Sequence, residues 1–509
     1  MNSRRWKRVA VTLVMAILAF AGLGSWALAS PVGAAPDDDY HLVSIWCGVG
    51  EREGLCEPGT QSDSRVVPEW LFVSNHCYAF QPEESGACLQ SDGSTIDTTR
   101  GNFAGSYPPV FYAVMSVFAG ENIALSTVLM RLFNAAVFVG AMIAILALLR
   151  PGQRGPLLWS AVVALVPLGM FIIPSVNPSS WAVLAGLTVW AALTGYFSTD
   201  SRRVRISLAV IAVLLTIMGA GARGDAGVFV GFGAVLASIL AFRRSWEWVK
   251  LALAPLAVVM IGAAFFLTSG QATGAASSGV AVGQAPERGS PLGLLLSNLI
   301  ELPELWAGHL GTWGLGWLDT IMPPAVWAVM IAVSGAVVFW GLRVLEWRKT
   351  LVLGLLAFVL IAFPLYVLHG LQAIVGTEVQ PRYLLPLTVM FVGVALFGLG
   401  RDDLGLGKLQ AAVVFVGVAF ANSRALHSTL RRYITGVDEQ SFNLNARIEW
   451  WWSIPVQPMT VWFVGSSAFG LMLLGLYLMM FTNRGRRLFP LSDTIPSPAI
   501  TREVAMRVQ

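Results

Sequence analysis

Apolar residues in this chain come in unbroken runs of about 20 positions, punctuated by short clusters of arginine and lysine. A helical run of that length covers roughly 30 Å of hydrocarbon, whereas a membrane barrel needs strands that alternate polar and apolar residues. The runs predict twelve spans, near 9–30, 124–149, 157–175, 179–197, 204–221, 225–242, 249–268, 322–342, 350–369, 383–399, 409–426 and 459–481. The expected fold class is an all-α polytopic membrane protein of about twelve transmembrane helices. This divides the chain into a first span (1–30), a long extracytoplasmic loop (31–123), spans two to seven (124–268), a second outer loop (269–321), spans eight to twelve with a third outer loop at 427–458 (322–481), and a cytoplasmic tail (482–509). Within the first loop, "YPPVFYAVMSVFAG" (Tyr107 to Gly120) is apolar but short for a span, and reads as a helix lying at the outer surface.

Composition agrees with the pattern: of 509 residues 56% are hydrophobic and 12% charged, about half the charged fraction of a soluble domain. Charge placement sets the orientation. The segments assigned to the inner side hold 22 of the 33 bases and 7 of the 29 acids, a net +15 against −11 outside. Both termini are therefore expected in the cytoplasm. The basic residues sit on loops beside the membrane, so the pI of about 9.0 is no sign of nucleic-acid binding. "RRWKR", an apolar run and "ALAS" also resemble a cleavable secretory signal; the expectation is that the run is retained as an anchor for the acidic cluster behind it.

All four cysteines, Cys47, Cys56, Cys77 and Cys88, fall in the first outer loop. That loop faces an oxidising compartment, so two disulfides are expected, with three pairings open. The spacings lack a zinc knuckle.

Candidate chemistry lies on the same side. "PDDDYH" puts Asp37 and Asp38 four and three residues before His41, on one face if the segment is helical. Adjacent carboxylates raise the pKa of at least one of them, which suits a general base; Asp39 reads as solvent-facing. Arg131 lies within the second span, Arg223 with Asp225 in "GARGD", Asp319 in "GWLDT", and Arg382 with Tyr383 in "QPRYLLP". Ionisable groups at such depth are functional candidates, and arginine is the side chain best shaped to grip phosphate. "NPSSW" at Asn177 reads as a tight outer turn, and His309 and His369 as structural. Motifs for nucleophilic catalysis, Walker loops and Rossmann turns are absent.

Together "PDDDYH", "YPPVFY", "NPSSW", "GWLDTIMP" and "QPRYLLP" resemble motifs of an uncharacterised bacterial membrane family grouped with the GT-C superfamily of polyprenyl-phosphate-dependent glycosyltransferases. The resemblance covers roughly residues 30–460. In that family the first motif reads D-E-x-x-H, so Asp37 and Asp38 take the acidic pair and His41 the histidine. A glycine usually precedes the arginine where this chain has Pro381. The resemblance implies an inverting transferase on the outer face of the bacterial cytoplasmic membrane. Its donor would be a polyprenyl-phosphate-linked sugar, and its acceptor a cell-envelope glycan, lipid or protein. Asp38 or Asp37 would be the base; Arg382, aided by Arg131 or Arg223, would hold phosphate, and His41, Asp319 and Tyr383 would contribute to substrate binding. A divalent metal (Mg or Mn) on Asp37 and Asp38 is compatible with this scheme and not required. The rival readings are a transporter or flippase of lipid-linked saccharide and a non-catalytic envelope scaffold.

Overall fold

The structure, a computed structural model, describes residues 3–88, 93–270, 291–398 and 405–489. The Gly/Ala/Ser-rich start of the second outer loop, Arg401 and most of the tail expected at 482–509 lie outside the described residues. Among the described residues, nine helices are long and apolar enough to cross a membrane. Six of them are α1 (Ser3–Ala27), α5 (Ile123–Leu148), α8 (Ser179–Ser198), α9 (Arg202–Ala222), α14 (Pro324–Gly341) and α15 (Trp347–Gly370). A seventh is made of α11 (Trp246–Leu251) running into α12 (Leu253–Thr268). The last two are α17 (Lys408–Ile434) and α18 (Pro458–Phe481), and two shorter apolar helices join them, α10 (Gly224–Leu240) and α16 (Pro381–Leu396).

The third expected span, 157–175, is not one helix. It divides into α6 (Pro151–Ala164) and α7 (Leu168–Ile172). Pro167 has no N–H to continue the ladder, and its ring crowds the preceding turn. The eleventh runs eight residues past its expected end, to Ile434, which carries Arg431 and Arg432 into buried positions on helix.

The helix α8 is apolar all round and sits at the centre of the bundle, packed on α9, α10 and α16. Close approach between helices uses small residues. A Cβ on Gly227 of α10 or Gly262 of α12 would stand 2.4 Å from the other's carbonyl oxygen, the small-residue contact that membrane helices use to pack.

The first outer loop is a structured unit. It holds α2 (Asp38–Trp46), the antiparallel strands β1 (Glu57–Pro58), β2 (Arg65–Pro68) and β3 (Thr95–Thr98), and two short helices, α3 (Trp70–Val73) and α4 (Val110–Met115). Glu57 pairs with Val66, and Arg65 with Thr98. Disulfides Cys47–Cys56 and Cys77–Cys88 close two short loops within it. Of the residues expected to lie at the surface, α4 turns Phe111, Tyr112 and Met115 inward, toward α2. The second outer loop contributes α13 (Pro291–Ala307) and a π-helical turn at Gly308–Thr312. Of the three consecutive tryptophans Trp450, Trp451 and Trp452, Trp452 is buried and donates to the carbonyl of Leu28 at 2.9 Å.

Candidate active site at the Asp37 loop

Between α1 and α2 the chain runs through residues 28–37 without regular structure, yet it is almost wholly buried. Its carbonyls must therefore find partners elsewhere, and side chains from five directions supply them. Arg131 of α5 donates to Ala27 (3.0 Å), Ser30 (2.6 Å) and Pro31 (2.7 Å). Tyr78 donates to Val32 (2.6 Å), Trp317 to Gly33 (2.8 Å) and Asn177 to Pro36 (2.7 Å), with Trp452 on Leu28 as above. An irregular stretch is thus tied into its surroundings through its carbonyls, and it delivers Asp37 to a fixed place.

Asp37 precedes the first turn of α2 with φ 58° and ψ 23°. A left-handed residue other than glycine costs about 1 kcal/mol, least for Asp and Asn. Its carbonyl accepts from the N–H groups of Tyr40 (3.0 Å) and His41 (2.9 Å). The side chain, 40% exposed, meets Arg382 of α16, which is 3% exposed, with Oδ2 2.6 Å from Nη2. Burial works against ionisation of Asp37, but Arg382, His41 and Arg100 outweigh it, so the carboxyl lies below its ordinary range.

The neighbouring acid behaves differently. Asp38 has no exposed surface. Its Oδ2 accepts from the Ala35 N–H at 3.0 Å, and its Oδ1 is buried without a partner. Burial pushes its pKa up to about 7 against the pull of Arg131 and that N–H. Asp39, expected to face solvent, is buried and forms a two-pronged ion pair with Arg100. Three consecutive acids therefore have three separate fates.

An aromatic and cationic cluster surrounds Asp37. His41 is buried, its Nδ1 3.0 Å from the Tyr112 hydroxyl, and its ring stands edge-on to Tyr40 and Tyr107. Burial drops its pKa to about 3, so it is neutral. Arg223 grips Asp225 through two bonds (2.9 and 2.7 Å) and donates to Ser179 at 3.2 Å. Its guanidinium lies 4.8 Å from the centre of the Tyr383 ring and 6.0 Å from that of Tyr107. Arg382 lies 4.9 Å from the same Tyr383 ring, so one aromatic face region serves two cations. Whereas each nitrogen of Arg223 has a partner, Arg382 leaves Nε and Nη1 buried with no hydrogen-bond partner. Arg382 also lines a narrow crevice with Pro36, Phe171, Trp313, Leu318 and Gln380. A buried guanidinium with two unused donors beside a crevice has the chemistry to bind an oxyanion.

Of the residues singled out in the sequence, Asp37, His41, Arg223, Arg382 and Tyr383 gather here. Asp38 is enclosed and turns to the Ala35 N–H, and two others do not join them. Arg131 has its guanidinium committed to loop carbonyls, and Asp319 pairs with buried Arg432 at 2.9 Å while accepting from the Phe80 N–H at 3.0 Å. Among the described residues no group of three His, Cys, Asp or Glu side chains could hold a metal ion. Asp37 and Asp38 turn to different partners, and the accessible one is already ringed by arginines, so this pair does not fit a divalent cation. Sequence reading missed Arg100, Tyr107 and Tyr112. The tyrosines were visible in "YPPVFY", but their spacing of five around two prolines hides a shared face.

A family model described as "Predicted membrane protein (DUF2142)" matches residues 20–391. No curated protein matches the chain. Among solved structures, ArnT from Cupriavidus metallidurans in the apo state is similar over 96% of this chain and 78% of that one, at 12% identity and a TM-score of 0.41.

Proposed function

For a chain that belongs to the DUF2142 family of predicted membrane proteins, we propose the role of a GT-C-like glycosyltransferase that moves a sugar from a polyprenyl-phosphate donor to an envelope acceptor at the outer membrane face. The observation that carries this reading is the Asp37–Arg382 pair: an accessible, ionised carboxylate 2.6 Å from a buried guanidinium with two unused donors. One group suits a proton in transit and the other a phosphate.

In the proposed reaction the donor phosphate lies on Arg382 Nε and Nη1. The acceptor hydroxyl approaches the anomeric carbon from the face opposite that phosphate, and Asp37 takes its proton as the new C–O bond forms. The old bond from the anomeric carbon to the phosphate oxygen breaks, and its electron pair leaves with the polyprenyl phosphate, so configuration inverts. A phosphate is a competent leaving group, and its growing charge falls on prepositioned donors. Asp38 is fully enclosed and supports the loop. Tyr107 and Tyr383 offer ring faces against which a sugar can pack, and Arg223 holds Tyr383 in place.

The test is sugar transfer from a radiolabelled polyprenyl-phosphate sugar in membranes carrying Asp37→Asn or Arg382→Gln. Loss of transfer in both, with normal amounts of folded protein, is expected. Undiminished transfer in either overturns the reading.

A further inference from the structure

An apolar groove lies away from the Asp37 site. It runs between α1, α5, α6 and α18, and apart from Thr12 it is lined by apolar side chains, with no carboxylate among them. Along α1 it extends from Thr12 to Leu23, which at ~1.5 Å per residue is roughly 16 Å. That is about half of the ~30 Å hydrocarbon thickness, the depth of a single leaflet.

The end of the groove near Thr12 is basic. The Thr12 hydroxyl donates to the carbonyl of Arg8 one turn earlier, and Arg8 Nη2 donates to the carbonyl of Arg487 at 3.3 Å. Arg154 stands one turn before the lining residue Leu158, with its guanidinium 5.8 Å from the ring of Phe489, which also lines the groove. Two arginine side chains, from α1 and α6, therefore stand at one mouth, where the backbone of Arg487 meets the first of them. This mouth lies at the far end of α1 from the Asp37 loop, since Arg8 and Ala27 are separated by ~28 Å of helix.

From this charge and this depth we infer that the groove is a binding site for an anionic diacyl phospholipid of the same leaflet, with its phosphate between Arg8 and Arg154 and its chains against α1, α5, α6 and α18. Cation clusters at the cytoplasmic boundary attract anionic headgroups, and acyl chains fill an apolar groove that offers no polar partner. The depth of one leaflet matches a phospholipid better than a long isoprenoid. The assignment is independent of the transferase reading.

The test is lipid retention by the purified full-length protein, delipidated and then equilibrated with micelles containing dioleoyl phosphatidylglycerol or phosphatidylcholine. Bound lipid is counted by native mass spectrometry. The wild type is expected to retain phosphatidylglycerol at least fivefold more than phosphatidylcholine. Arg8→Gln/Arg154→Gln should lose that preference, and Ala161→Trp, which puts an indole into the groove, should lose bound lipid altogether. If Ala161→Trp does not fold, Ala19→Leu on α1 replaces it. Equal retention of the two lipids overturns the inference, as does a preference unchanged in the double arginine variant. So does displacement of the phospholipid by an isoprenyl phosphate at equal concentration, or binding that arises only after residues 490–509 are deleted.

Discussion

Asp319→Asn isolates what the buried Asp319–Arg432 pair does. Arg432, 1% exposed, donates to the carbonyls of Glu84 (2.5 Å), Tyr78 (2.7 Å) and Gln81 (3.1 Å) as well as to Asp319, which is 4% exposed. The guanidinium thus ties the Cys77–Cys88 segment to α17, and Asp319 supplies the only negative charge that faces it among the described ion pairs. Removing one partner of a buried pair costs about 3–5 kcal/mol, because the other charge remains enclosed. Asparagine retains an oxygen for the Phe80 N–H, so the lower figure applies, and ~3 kcal/mol corresponds to roughly a hundredfold in a local opening equilibrium. Hydrogen exchange followed by mass spectrometry on peptides covering 77–88 is the assay. Amides of that segment should exchange about 10²-fold faster in Asp319→Asn. In a cycle with Arg432→Leu, the double variant should be less destabilised than the sum of the singles by ~2 kcal/mol. Exchange unchanged from wild type in Asp319→Asn, or strictly additive effects, would refute the structural role assigned to this acid.

Other expectations are as direct. Arg382→Lys keeps the charge but loses the planar fork, and should lower kcat/KM for transfer by about 10²-fold with little change in melting temperature, read from radiolabelled sugar incorporation. The folded-state pKa of Asp38 is raised from 3.8 to about 7, so its contribution to stability is fully present below pH 3.8 and is lost as pH rises through about 7. Thermal melts of Asp38→Asn should lack the part of the pH dependence that wild type shows across that window. Asp37 has the opposite sign: its carboxyl is depressed below 3.8, so the Arg382 pair stabilises above that pH and is lost only as pH falls through the lower folded value. Cys47→Ser/Cys56→Ser opens a short loop at the C-terminal end of α2 and should destabilise the first outer unit by roughly 2–4 kcal/mol, measured as faster limited proteolysis between residues 38 and 68.

How much of this was legible beforehand depends on the range of the interaction. Apolar runs report only burial against lipid or protein, and they placed the long helices well. They failed at Pro167, where a single missing N–H divides an otherwise continuous apolar run into α6 and α7. Charge and depth drew attention to Arg131, Arg223, Asp319 and Arg382, since a buried ion needs a reason to be there. Which reason applies depends on contacts between residues far apart in sequence, as with Arg382 and Asp37, 345 positions apart, or Arg432 and Asp319. The run of three aspartates shows the limit most clearly. Local spacing makes Asp37, Asp38 and Asp39 near-equivalents, yet a left-handed turn at Asp37 sends them to Arg382, the Ala35 N–H and Arg100. Arg100 itself carries no motif, and the segment that holds it is fastened alongside α2 through Asn102, whose N–H donates to the Ser44 hydroxyl and whose side-chain oxygen accepts from Tyr40.

The central claim is that Asp37, and not the enclosed Asp38, takes the acceptor proton beside Arg382. Its most direct measurement is the initial rate of sugar transfer from a radiolabelled polyprenyl-phosphate sugar by purified Asp37→Asn and Asp38→Asn proteins, each normalised to folded protein. The account predicts a fall of about 10³-fold or more for Asp37→Asn and a rate within tenfold of wild type for Asp38→Asn. Full transfer by Asp37→Asn, or a loss confined to Asp38→Asn, would contradict it.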